Sequence, residues 1–201
     1  PALAGCGGNE DKAPETKPAP TEPAEEAKVL KVLTLGHYLT VDACHMLNLV
    51  AQAEGYESML IGTLYYSGCP LSKYYTDWKK GDAAYQFYET TGPERKSFAG
   101  SKSLEWCLAQ GDWDVISMQE YSGNVRRSTD GQAHLDKCDL YTDTLFPYIT
   151  SQFPDAKFYF HQSWSFQIGY VRDEPKVLDA AQQAKDAYAQ QVFANGLLAK
   201  Y

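Results

Sequence analysis

LGHYLTVDACH, residues 35–45, sets an imidazole (His37), a phenol (Tyr38) and a β-hydroxyl (Thr40) within four residues of Gly36, straight after the apolar run VLKVLTL. A glycine and short polar residues at a strand-to-helix handover can hold a nucleophile or an anion, because strand ends and helix N-termini open into one crevice. Three later segments offer partners: SGCPL with Gly68 and Cys69, SMQEYS with Gln119 and Glu120, and HQSW with His161 and Trp164. Together they set candidate nucleophiles and imidazoles at strand ends, where sheets of this kind bind ligands.

Each candidate has a plainer reading beside the chemical one. Thr40 is either a displaced nucleophile or, at a helix start, a cap. Cys69 follows a glycine turn whose backbone N–H groups would lower a thiol pKa, or it packs as a small apolar residue. His37 either donates into the crevice or lies on the surface, and His161 either approaches His37 or is a satisfied rim histidine. A metal at His37, Cys69 and His161 lacks a close-spaced ligand pair, and no cofactor is expected. Cys44, Cys107 and Cys138 fall at apolar positions of predicted helices and read as core. Trp106 and Trp113 belong to buried patterns, whereas Trp78 and Trp164 follow strand ends and could line a sugar-binding crevice. Arg126 and Arg127 sit in a long loop where they could meet a carboxylate.

The elements that must position these residues follow from apolar periodicity and turn signals. Residues 29–35 and 58–66 read as strands separated by a helix running to Glu54, capped by Thr40 or Asp42 and closed by Gly55. LSKYYTDWKK reads as a short helix or a loop. YQFYETTGPERKSFA, residues 85–99, carries a hairpin signal at TTGPE. A helix over 103–110, a strand over 113–119, a long loop, a helix over 134–153 containing Pro147, a strand over 157–164 and a final helix complete the chain. Strand and helix alternate, which implies a mainly parallel sheet covered on both faces, with every candidate residue at a carboxyl strand end.

Composition narrows the partners. The 201 residues carry a formal charge of −8, so a nucleic-acid backbone is an unsuitable partner and an anionic membrane surface equally so. Fifteen tyrosines and four tryptophans supply flat apolar faces with polar handles, suited to a sugar-like ligand or to an aromatic core. The five cysteines form no CxxC pair and no disulfide framework. Residues 7–28 are rich in Pro, Ala, Glu and Lys and lack large apolar side chains, so they read as a disordered tether.

The rim residues resemble the SGNH or GDSL-type hydrolase superfamily, and in particular its bacterial lipoprotein branch known as domain of unknown function 4886. The likeness spans residues 29–201. Gly36, His37, Tyr38 and Leu39 match the segment in which the branch has Gly-Asn-Ser-Phe. Gly68 to Leu71 match its Gly-Cys-Ser-Leu, WDVISMQEYS matches its Trp-Asp, buried run and Gln-Gln, and HQSWSF matches a further segment. The resemblance implies an α/β three-layer sandwich with a mainly parallel, flavodoxin-like sheet, lacking its last C-terminal elements. It also implies ester hydrolysis on a carbohydrate or other acyl ester, with Tyr38 in the nucleophile slot and Gly68 and Gln119 as the oxyanion hole. His37, Thr40, Cys69, Glu120, His161 and Trp164 would bind substrate.

Two departures set this chain apart from that pattern. A phenol carries its oxygen several ångströms beyond the place of a serine oxygen, and attack geometry tolerates little displacement. The superfamily's C-terminal Asp-x-x-His has no counterpart, since no histidine follows His161. The expected activity is therefore weak or absent, and the alternative is a non-catalytic glycan-binding module; a purely structural protein fits the rim less well. LAGC, residues 3–6, resembles a lipobox, which implies that residues 1–6 end a lipoprotein signal peptide, that Cys6 is lipidated and that the domain is anchored in a bacterial cell envelope, facing the surface or the periplasm.

Overall fold

The computed structural model describes residues 29–92, 94–127, 131–169, 171–173, 176–177 and 179–200. The tether and the lipobox segment lie outside the described residues. A six-stranded sheet runs β4-β3-β2-β1-β5-β6. Its parallel part consists of β1 (Val29–Gly36), β2 (Ser58–Tyr65), β5 (Val115–Met118) and β6 (Lys157–Phe160), to which the hairpin β3 (Tyr85–Thr91) and β4 (Glu94–Lys102) adds antiparallel strands beyond β2. The chain is thus a mixed α/β fold, as strand and helix alternation requires.

Register decides what the sheet can do at its rim. Gly36 pairs with Tyr65, Leu35 with Met118, and Met118 with Phe160, so the carboxyl ends of four parallel strands stop level with one another. The side chains along β1 alternate between two cores, because successive residues of a strand point to opposite faces. Leu33 and Leu35 join Leu64, Ile116 and Met118 beneath α3 (Leu71–Lys80), α4 (Leu104–Leu108) and α6 (Gly131–Gln152). Val32 joins Met59, Ile61 and Ala51 on the face served by α1 (Tyr38–Cys44) and α2 (Leu47–Ala53). On that face Thr34 and Thr63 are register partners whose buried hydroxyls satisfy one another at 3.2 Å.

Four local differences separate the structure from the sequence expectations. The helix predicted to run to Glu54 is two helices, since i to i+3 bonds from the His45 amide to the Asp42 carbonyl and from the Leu49 amide to the Met46 carbonyl tighten the chain between them. As a result Met46 and Val50, which share helical spacing with Leu47 and Ala51, are more than half exposed, and Asn48 is buried instead, accepting from the Met59 amide at 3.0 Å. Neither Thr40 nor Asp42 caps α1; its N-cap is His37. The loop expected after β5 contains a helix, α5 (Ser122–Arg127), and β6 ends at Phe160, leaving residues 161–167 irregular. The side chains of Arg126 and Arg127 lie outside the described residues. A short ribbon of β7 (Val171–Asp173) and β8 (Lys176–Val177) precedes α7 (Ala180–Lys200), which packs against α5 and α6. No helix among the described residues is long and apolar enough to cross a membrane.

Candidate functional site

At the end of β1 the chain turns into α1 over Gly36. A β-carbon on Gly36 would lie 1.9 Å from Thr40 Oγ1 and 2.6 Å from Thr40 Cβ, so only glycine lets α1 fold back this closely. That approach carries Thr40 to Gln119 at the end of β5, where its hydroxyl donates to Oε1 at 2.7 Å. Both residues are buried. Thr40 is therefore neither a cap nor an exposed alcohol but a tie between two strand ends. The Gln119 Nε2 group, buried, has no hydrogen-bond partner among the described residues.

His37 lies inside the crevice wall. It is fully buried, its Nδ1 accepts weakly from the Leu39 amide and its Nε2 donates to the Glu120 carbonyl, both at 3.4 Å. This pattern requires the neutral ring, one nitrogen bare and one protonated. Burial pushes its pKa down to about 4; the Glu120 carbonyl opposes that shift and the nearby His161 adds to it. Burial likewise lowers His161, whose amide donates to the Met118 carbonyl at 2.7 Å and so holds the segment after β6 against the rim. The structure thus brings His37 and His161 together as two neutral imidazoles.

Tyr38, one residue on, is 37 % exposed, its ring 5.0 Å from that of His37. Trp164 is 50 % exposed, with its ring 6.5 Å from that of His161. Across the crevice Gly68 adopts a left-handed backbone, φ +60°, that favours glycine, and the ring of Tyr121 lies where a β-carbon would meet it at 3.5 Å. The same ring meets His37 edge-on at 5.7 Å. Tyr121 fills the space between Gly68 and His37, and sequence reasoning passed over it; the signal was an aromatic residue directly after the Gln119-Glu120 pair.

The remaining candidates are structural in their contacts. Cys69 is fully buried and burial pushes its thiol up to about 12, the reverse of what a glycine-turn nucleophile needs. Glu120 is 2 % exposed, and its carboxyl accepts from the Leu71 amide at 2.8 Å and from Asn124 Nδ2 at 3.0 Å. Trp78 does not line the crevice: it stacks on Tyr148 at 4.3 Å beneath Lys79, at the far end of α3. A cavity of about 600 Å³ lies elsewhere, between α1, α2 and the hairpin, lined by residues such as Cys44, Asn48, Thr63 and Arg95. None of the rim candidates lines it. Among the described residues, the side chains grouped closely enough to hold a metal are Glu120, His134 and Cys138.

A family model described as a domain of unknown function, DUF4886, matches residues 31–192. The chain belongs to the DUF4886 family. Among solved structures it is similar to a DUF4886 family protein from Bacteroides uniformis ATCC 8492, whose crystal structure was determined at 1.50 Å, with 25 % identity and a TM-score of 0.60. The match covers 69 % of this chain and 51 % of the other, so the chain spans about half the length of that relative. No curated protein matches the chain.

The His37 environment gives this DUF4886 domain an acid-sensitive element. The unfolded chain binds a proton at His37 near pH 6.5, whereas the folded chain resists it until about 4. Between those values the unfolded state holds more protons, so stability falls as pH drops through the window. Comparison of urea unfolding at pH 7 and pH 4.5 should show the native protein losing about 2 kcal/mol more than a His37→Gln variant. Equal losses in the two proteins would show that the ring is not held neutral by the fold.

Proposed function

We propose that this domain binds a carbohydrate-type ligand at the rim formed by β1, β2, β5 and β6, and that it keeps the crevice of an SGNH-type ester hydrolase without the hydrolysis. The observation that carries the reading is the pairing of two half-exposed aromatic faces, Tyr38 and Trp164, with an absent nucleophile. Among the described residues there is no serine–histidine pair, Thr40 is committed to Gln119, and the Cys69 thiol is buried. Cys138 faces His134 at 3.6 Å but is fully buried, out of reach of an acyl substrate. Tyr121 over Gly68 further obstructs the place an oxyanion would take.

The exposed rings of Tyr38 and Trp164 suit an uncharged polyhydroxyl ligand by stacking on apolar sugar faces, and the partly exposed His161 imidazole can exchange hydrogen bonds with it, whereas both His37 nitrogens are already engaged by the fold. The parallel order β2-β1-β5-β6 supports descent from the SGNH-type sheet. The lipobox-like LAGC supports attachment through Cys6 to the outer side of a bacterial envelope membrane, where glycans are at hand.

Thermal unfolding against a panel of soluble oligosaccharides tests the reading. A ligand at a hundredfold excess over its Kd should stabilise by about 2.7 kcal/mol without releasing product. Trp164→Ala should weaken binding roughly tenfold, about 1.4 kcal/mol. Short-chain aryl esters should not be turned over; turnover lost in Tyr38→Phe would make Tyr38 a nucleophile and overturn the proposal.

A further inference from the structure

Where the end of β5 meets α6, three side chains of metal-ligating type converge. His134 and Cys138 lie four residues apart on α6 and so share one face of the helix, and Glu120 reaches them from the end of β5. His134 Nε2 stands 3.6 Å from Glu120 Oε1 and 3.6 Å from Cys138 Sγ, and all three ligand atoms lie within 4.8 Å of one another. All three residues are buried: Glu120 is 2 % exposed, His134 8 % and Cys138 0 %.

The same imidazole nitrogen faces both the carboxyl and the thiol. A hydrogen-bonded relay would use the two ring nitrogens on opposite sides, as catalytic triads do. A single nitrogen carries at most one proton and cannot bind both neighbours well; 3.6 Å is long for a bond to the carboxyl, although within reach of a bond to sulfur. The two 3.6 Å separations from His134 fit edges of a coordination tetrahedron. With metal–nitrogen and metal–oxygen bonds of about 2.0–2.2 Å and a metal–sulfur bond of about 2.3 Å, neighbouring ligand atoms lie about 3.3–3.6 Å apart.

We propose that Glu120, His134 and Cys138 bind a divalent ion of the zinc type between the end of β5 and the first turns of α6. One thiolate, one imidazole and one carboxylate select such an ion over calcium or magnesium, which prefer all-oxygen shells. The supporting contacts are those of a metal site. The Leu71 amide fixes Glu120 through its other oxygen, Asn124 Nδ2 holds the oxygen facing His134, and the ring of Phe193 packs 5.1 Å from that of His134. On binding, the thiol gives its proton to solvent as the sulfur–metal bond forms, and one position of the tetrahedron stays open.

Titration of the chelator-stripped 201-residue chain with Co2+ tests this directly. The expected result is one bound ion, with visible bands of a tetrahedral site, a thiolate-to-cobalt charge-transfer band in the near ultraviolet, and displacement of both by Zn2+. Cys138→Ser and Cys138→Ala should lose the charge-transfer band, and His134→Gln should weaken binding at least about tenfold. Circular dichroism establishes that the variants fold. If they do not, X-ray absorption of the zinc-loaded native chain decides, with one sulfur expected at about 2.3 Å and a nitrogen and oxygen shell near 2.0 Å. The site is overturned by the absence of a charge-transfer band in the native chain, by a band that survives in both folded Cys138 variants, or by a zinc shell without sulfur. None of these readouts involves Tyr38 or Trp164, so failure here leaves the carbohydrate reading standing, and the reverse.

Discussion

Replacing Glu120 with alanine should cost about 4 kcal/mol of stability in metal-free protein, lowering the melting temperature by roughly 8–16 °C. The carboxyl is buried and serves two elements at once. Through Oε2 it accepts from the amide of Leu71, the first residue of α3, whose own N-cap, Pro70, offers no side-chain bond. Through Oε1 it accepts from Asn124 on α5. Alanine removes both acceptors, strands the Leu71 N–H in the core and opens a cavity, three penalties that act in the same direction. Glutamine should recover about half of the loss, because its oxygen can still serve Leu71 while its NH2 group then meets the NH2 of Asn124. Calorimetry of both variants in chelator checks the ordering. A Glu120→Ala protein melting within about 2 °C of the native chain would mean that α3 does not depend on this strand end.

Gly131→Ala should be nearly as damaging, at about 3 kcal/mol, although it adds a single methyl group. Gly131 begins α6, and a β-carbon there would stand 2.0 Å from the Ala189 carbonyl oxygen and 2.7 Å from the Phe193 amide nitrogen. Both are backbone atoms of α7, so no rotamer change relieves the clash and the two helices must separate. The same crossing is tight from the other side, where Leu135 Cδ2 lies 2.1 Å from a β-carbon built on Gly196. The backbone of Gly131 lies outside the left-handed region, so alanine in the unfolded chain would by itself favour folding by about 0.4–1 kcal/mol. A net loss is therefore a lower bound on the steric term. Urea unfolding should show a lower midpoint at unchanged slope, and a midpoint equal to that of the native chain would show that α6 and α7 can part without cost.

The strand ends were legible because each carries a local mark. Gly36 closes an apolar run, Gly68 and Pro70 punctuate the chain after another, and the apolar stretch before Gln119 reads as a buried strand. The mixed α/β class followed from alternation, and the hairpin from TTGPE. Helix boundaries between residues 38 and 53 were less accessible, since the apolar spacing there fits one continuous face and only packing on the sheet shows that Asn48, not Met46, turns inward. Trp78 shows the same gap: nearness to a strand end in sequence does not reveal that a ten-residue helix carries its ring away to Tyr148.

What the sequence determined by itself is the set of groups at the rim, the phenol at position 38 among them, because residue type and the distance from a strand end are written locally. Tertiary structure alone decided which of those groups stand exposed at the rim and which are spent on the fold. Thr40 and Glu120 are taken up by partners 79 and 49 residues away, and His134 and Cys138 meet Glu120 only because β5 and α6 pack together. Hydrogen bonds and coordination depend on separations of a few ångströms across the chain, and a pattern of neighbours along the sequence does not contain them.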